Sequence, residues 1–379
     1  MIYLDNSATT KPNPAVLKSF EQVTERFFAN PSSIHQFGGE AERLLMKARN
    51  QAAEMLGVGQ NEIIFTSGGT EGNNIAIKGI ALEHQNRGKH IITTEIEHPS
   101  VYDACSSLKA LGFEITYLPV DHNGVISLTD LKNSIRKDTI LISIMHVNNE
   151  TGSIQPIEEI GKIAKEHPKL FFHVDDVQGL GKVPLQLPES GIDLCTFSGH
   201  KIHGLKGTGI LYVNNRTTLF PLFHGGNQEN AIRSGTENLA GAVAMVKALR
   251  LIKEREKEEL NNLYELQKYL LDEINRLEGV VMNTPLHSAP HIINISVPGI
   301  KPEVIIHMLG EKDIYISTKS ACSSKQKDES KVLTACGFNK ERSISALRIS
   351  LSYDTSKSEI RQFIHALKIA VNQFKEVME

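Results

Sequence analysis

The strongest constraint on the fold is an alternation that fills the first two-thirds of the chain. Short apolar runs at residues 63–65, 90–93, 114–118, 140–144, 170–174 and 209–213 are separated by longer stretches, such as 156–166, with helical amphipathicity. Strands alternating with helices predict an α/β layer with a mainly parallel sheet. Ligands of such sheets lie beyond the carboxyl ends of the strands. The residues just after each run are therefore the first candidates for chemistry. Residues 236–277 read as one long helix, with a Lys/Glu-rich solvated face at 253–259. Beyond about residue 279, strand-like runs at 292–297, 314–316 and 347–351 and a final helix from about 356 predict a small α+β C-terminal domain. A chain of 379 residues exceeds a typical single core, which also favours two domains.

Composition removes several function classes. The net charge is −3, from 41 basic and 44 acidic residues, so there is no electrostatic footprint for direct nucleic-acid binding. No apolar run is long enough for a membrane helix. Residues 1–6 lack the basic and apolar regions of a signal peptide, so a cytoplasmic location is expected. The cysteines, Cys105, Cys195, Cys322 and Cys336, form no C-x-x-C pair, which favours neither zinc nor a disulfide framework. His287 and His291 are four apart, but Pro290 lies between them and no H-E-x-x-H pattern exists, so no metal is expected.

Chemistry-bearing residues fall where the strands end. Ser198-Gly199-His200-Lys201 follows an apolar run, and a desolvated lysine there offers an amine for covalent catalysis. Asp175 ends the 170–174 run, where a buried carboxylate needs a partner, and Gln178 lies three residues on. Ser67-Gly68-Gly69-Thr70 turns from a strand into a helix, a geometry that cradles phosphate on backbone N–H groups. His98 can stack on a ring and shuttle protons near neutral pH. Asn149 offers an amide and Arg348 a carboxylate fork. Taken singly, a solvated lysine, a capping aspartate, a plain turn and a surface ion pair would look the same. Residues 323–331 contain no apolar side chain, which predicts a mobile loop with Cys322 at its base.

Together and in order, these motifs resemble one family. Thr-Ser-Gly-Gly-Thr-Glu-x-Asn-Asn at 66–74, Glu97-His98, Asn148-Asn149-Glu150, Asp175-x-x-Gln178, Ser198-Gly199-His200-Lys201, Arg233-Ser234-Gly235-Thr236 and Ser320-Ala321-Cys322 are similar to the NifS/IscS cysteine desulfurases. These belong to the class V aminotransferase superfamily of pyridoxal 5'-phosphate (PLP) enzymes, fold type I. The likeness runs from Tyr3 to Leu351. It implies a large PLP-binding domain at 13–255. A small domain would comprise 1–12 and 256–379 and carry the cysteine loop at about 320–332.

The resemblance also implies roles. Lys201 would bind PLP covalently, Asp175 would pair with the pyridine nitrogen, Gln178 would meet the ring hydroxyl, and His98 would stack on the ring and move protons. Gly69, Thr70, Ser198 and His200 would hold the phosphate, with Thr236 reaching it from a second subunit of a homodimer. Asn149 and Arg348 would bind the carboxylate of L-cysteine. Cys322 would take the substrate sulfur as a persulfide, release alanine, and pass sulfur to an acceptor protein. Lys319, Lys325 or a relay through His98 would activate its thiol. The acceptors that fit are an iron–sulfur scaffold, a tRNA-thiolation enzyme and a thio-cofactor sulfurtransferase. A selenocysteine lyase or a transaminase would share the PLP residues, but a transaminase has no use for Cys322. Asp176, Lys319 and Ser352-Tyr353 depart from the usual pattern. Strand alternation places the Asp176 side chain opposite that of Asp175.

Overall fold

The computed structural model describes residues 1–318 and 329–378. The chain opens with β1 (Ile2–Tyr3), α1 (Pro14–Arg26) and α2 (Gln36–Leu56). Next come β2 (Ile63–Thr66), α3 (Gly69–His84), β3 (His90–Thr94), α4 (Pro99–Leu108), β4 (Glu114–Leu118) and α5 (Leu128–Ser134). They are followed by β5 (Thr139–Met145), α6 (Ile157–Lys165), β6 (Phe171–Asp175), β7 (Leu194–Ser198) and β8 (Gly209–Val213). The remainder holds α7 (Leu239–Ile274), β9 (Val281–Met282), β10 (Ile292–Ser296), α8 (Pro302–Gly310) and β11 (Ile314–Tyr315). It ends with α9 (Lys331–Ala335), α10 (Lys340–Ile344), β12 (Ala346–Ser350) and α11 (Lys357–Met378).

Among the described residues, β2-β8-β7-β6-β5-β3-β4 form a seven-stranded sheet. Its strands are parallel except β8, which runs antiparallel to both β2 and β7. The connection over 199–208 is too short for a parallel crossover, so β8 must reverse. Every residue of β3, β5, β7 and β8 is buried, as a sheet covered on both faces requires. Alternate side chains enter different cores. Ile64, Ile91, Leu141 and Leu211 pack with α3 and α4. Their neighbours Ile63, Ile92, Ile142 and Tyr212 pack with the cluster that includes Met245, Leu249 and Ile252 of α7.

The predicted long helix is α7, which spans about 54 Å at 1.5 Å per residue and leads out of the large sheet. Beyond it, β12-β10-β9 form an antiparallel sheet, backed by Ile305 and Leu309 of α8 and Phe363 and Leu367 of α11. The N-terminus returns to this smaller region, where β1 pairs with β11 and Asp5 bridges to Ser350.

A buried ion pair pins the segment before Thr236. Arg49 of α2 grips Glu229 in a fork, with Nη2–Oε1 at 2.7 Å and Nη1–Oε2 at 2.8 Å, and the backbone N–H of Phe65 also donates to Oε2. Glu229, Asn230 and Ala231 all have positive φ, which side chains disfavour without such anchoring. Replacing Arg49 with Met strands the Glu229 carboxylate. It should cost about 3–5 kcal/mol, seen as a lower urea midpoint. Arg250→Ala removes only the exposed 3.8 Å pair with Glu254 and should leave the midpoint in place. Equal midpoints for the two variants would contradict the assigned role.

Candidate active site

The carboxyl ends of β2, β5, β6 and β7 surround one cavity of about 160 Å³. It is lined by Gly69, Thr70, His98, Asn149, Asp175, Gln178, Ser198, His200, Lys201 and Arg348. Residues scattered over most of the sequence thus meet where an α/β sheet binds its ligand.

At one end, α3 starts directly after β2. Its N-cap Gly68 sits at φ 145 and supplies no side-chain cap, so the first-turn N–H groups are left for a ligand. A Cβ at Gly68 would lie 3.7 Å from Ser198 Oγ, which is buried and has no hydrogen-bond partner among the described residues. Gly199 is equally constrained, because a Cβ there would overlap Thr208 Oγ1. A helix N-terminus plus an orphaned hydroxyl is a phosphate cradle. His200 lines the same end, and burial pushes its pKa down to about 4, so it serves as a neutral donor near pH 7.

At the centre, the buried Asp175 carboxylate accepts from Asn73 Nδ2 at 2.8 Å and from the backbone N–H of Val177 at 3.0 Å. Asn73 also donates to Ser100 Oγ at 2.8 Å, and Ser100 Oγ meets His98 Nδ1 at 2.8 Å. His98 caps α4 with that ring, Nδ1 also accepting from the Ser100 N–H. Nδ1 is therefore the acceptor, and the proton of the neutral imidazole sits on Nε2. Burial lowers the His98 pKa, Asp175 opposes this, and Lys201 adds to it.

Lys201 Nζ donates to the carbonyls of Ser7 and, at 2.9 Å, Ala8, while Gln178 Nε2 donates to Ser7 at 3.1 Å. Arg348, from β12, is 1% exposed and is not a surface ion pair. Its Nη1 donates to the Asn149 carbonyl at 2.9 Å and its Nη2 pairs with Asp5 at 3.0 Å. Its buried Nε has no partner among the described residues. An amine, a matched carboxylate, a neutral imidazole and a phosphate cradle in one cavity form the donor set that PLP requires.

Other expected residues lie elsewhere. Cys322, Lys319 and Lys325 fall outside the described residues. Thr236 is exposed and does not line this cavity. Asp176 does point away from the site. It is buried and bonded to His146 at 2.7 Å. His287 is exposed while His291 is buried, so they share no site. Sequence reasoning missed Asn73 and Ser100, although Asn73 sits one helical turn into α3 beside the quoted glycines. It also missed Asp5, whose only signal was that it lies within the stretch of family likeness that starts at Tyr3.

Glu97, just before His98, was also overlooked. Its Oε1 accepts from Thr94 Oγ1 at 2.7 Å and from the Met145 N–H at 3.1 Å, tying the ends of β3 and β5 together. Burial raises its pKa to about 8, from the ordinary 4.5. The native state therefore holds an extra proton between those values, and stability falls as pH rises through that window. Glu97→Gln keeps the neutral shape. Its thermal midpoint should decline less than the wild-type one between about pH 5 and 9. Parallel curves would contradict a protonated Glu97.

Comparison with known proteins identifies the family. The family described as Aminotransferase class-V matches residues 2–363. A NifS/IcsS protein homolog of Lactobacillus delbrueckii subsp. bulgaricus is 45% identical, the match covering 100% of this chain and 99% of that protein. The cysteine desulfurase IscS of Dictyoglomus turgidum is 43% identical, covering 99% and 96%. A solved NifS-like protein superposes with a TM-score of 0.92 at 36% identity, covering 98% of this chain and 99% of the other. With its strand-end cavity and PLP donor set, the chain belongs to the class-V aminotransferase family, among the proteins of the NifS/IscS type.

Proposed function

We propose that this protein is a PLP-dependent cysteine desulfurase that moves sulfur from L-cysteine onto Cys322 and releases alanine. One observation carries the reading: Lys201, Asp175, His98 and Arg348 line a single cavity beside an uncapped helix N-terminus. When bound, PLP supplies the electron sink that lets the substrate Cα proton leave. The chain supplies the rest.

Lys201 provides the amine that holds the cofactor and exchanges with the substrate. Asp175, steadied by Asn73, would pair with the ring nitrogen, and Gln178 would hydrogen-bond the ring hydroxyl. His98 lines the same cavity, and its Nε2–H would give and take the proton. Gly69, Thr70, Ser198 and His200 hold the phosphate. The unpartnered Nε–H of Arg348 receives the substrate carboxylate, with Asn149 beside it. Cys322 acts as thiolate. Its sulfur bonds to the substrate sulfur as the substrate C–S bond breaks, leaving a persulfide, and the remaining carbon skeleton takes up a proton to become alanine.

The domain division we favour is 13–255 for the large domain, with 1–12 and 256–379 forming the small one. A homodimer is part of the same reading. Thr236 lies outside its own cavity, and Phe28 and Ile34 are 78% and 106% exposed, an apolar surface that a second copy would cover. No helix among the described residues is long and apolar enough to cross a membrane. Action in the cytoplasm belongs to the same proposal. The persulfide then passes to an acceptor protein serving iron–sulfur cluster assembly, tRNA thiolation or thio-cofactor synthesis.

Cys322→Ala should retain PLP absorbance and lose sulfur transfer. Wild-type rates of alanine and sulfide formation by that variant would overturn the reading. Arg348→Gln should raise KM for L-cysteine about 10- to 100-fold, with PLP still bound. An unchanged KM would remove Arg348 from the substrate site.

A further inference from the structure

Lys182 is buried, and its Nζ donates to the backbone carbonyl of Lys201 at 3.0 Å. The segment that carries it is tightly shaped. Gly181 sits at φ 72, and a Cβ there would overlap Ile252 of α7. Tyr353 Oη donates to the Gly181 carbonyl at 2.7 Å. Gly179 leaves room for the Asp176–His146 pair, since a Cβ at 179 would overlap the Asp176 carboxylate. Asp176 and Tyr353, two residues that depart from the family pattern, thus both bear on the segment that carries Lys182.

A buried ammonium is costly unless carboxylates face it. Asp176 at the end of β6 and Glu256 of α7 supply negative charge, and Glu256 is itself held by Lys253 at 2.5 Å. The other titratable groups within electrostatic reach are Lys201, His200 and His203 after β7, and His291 at the start of β10, which burial keeps neutral near pH 7. Asp175 and His146 act on Asp176 in turn.

We propose that Lys182 is a positioning residue whose ammonium fixes the main chain of Lys201, with Asp176 and Glu256 keeping that ammonium charged. The proposal rests on Lys201 being the amine that holds PLP. A lysine reaching a cofactor swings on a long side chain, so an anchored backbone narrows the search of its amine. Burial brings the Lys182 pKa down to about 8, so the clamp is charge-assisted below that pH and weakened above it.

The test follows PLP loss from the loaded enzyme on dilution, from about pH 7 to about pH 9.5, without substrate. In the wild type the loss rate should rise about tenfold as Lys182 deprotonates, the worth of one charge-assisted hydrogen bond. Lys182→Arg stays protonated and should hold the low rate throughout. Lys182→Met should show the high rate at every pH. Asp176→Asn should move the rise to lower pH. A Lys182→Arg profile that tracks the wild type overturns the proposal, and this comparison decides even if the Met variant fails to fold. Borohydride reduction followed by peptide mass analysis separates the two claims. PLP fixed to Lys201 alongside a tracking Arg profile sinks only the Lys182 role. PLP fixed to another lysine sinks the Lys201 reading, and the proposal with it.

Discussion

A carboxylate buried at the end of a central strand must be given partners, and much of the site is arranged around that need. Asp175 sits at the tip of β6, and only Asn73 and the Val177 N–H reach it among the described residues. Asn73 is available because α3 starts beside β6, and α3 can start there because Gly68 and Gly69 make the turn. The same amide reaches Ser100 and through it His98, so the acid and the ring-stacking imidazole belong to one network. A partly matched network of this kind is costly unless completed. In the proposed reading, the ring nitrogen of bound PLP would complete it.

The second constraint comes from the smaller region. Arg348 rides on β12, and Asp5 and the Asn149 carbonyl each hold one arm of its guanidinium. That leaves Nε without a partner among the described residues, the donor that the proposed function assigns to the substrate. The N-terminal segment serves both regions: it accepts from Lys201 and Gln178 at Ser7, and it pairs with β11 and β12 through β1 and Asp5. Residues 2–8 therefore link Lys201 and Gln178 mechanically to Arg348, and under the proposed function they would couple cofactor anchoring to substrate recognition.

The strands were legible because runs buried on both faces are predominantly apolar, as at 139–145 and 209–213. Lys201, Asp175, His98 and the Gly68-Gly69-Thr70 turn were legible because strand ends are where α/β sheets place ligands. What stayed hidden depends on side-chain direction or on contacts distant in sequence. Asn73 and Ser100 meet only once α3 and α4 pack side by side. Asp5 meets Arg348 across 343 residues. The antiparallel course of β8 follows from the shortness of its connection, and no composition signal marks it. Asp176 was foreseen to point away from Asp175, but its partner His146 comes from the end of a different strand.

The central claim is that Cys322 receives sulfur from L-cysteine at this site. It is tested most directly by mass spectrometry of the purified protein after L-cysteine is added, with alanine measured in the same tube. The account predicts one or more extra sulfur atoms on the Cys322 peptide, with alanine formed. Bound PLP with no added sulfur and no alanine would contradict it, and would make the protein a different enzyme of the same fold.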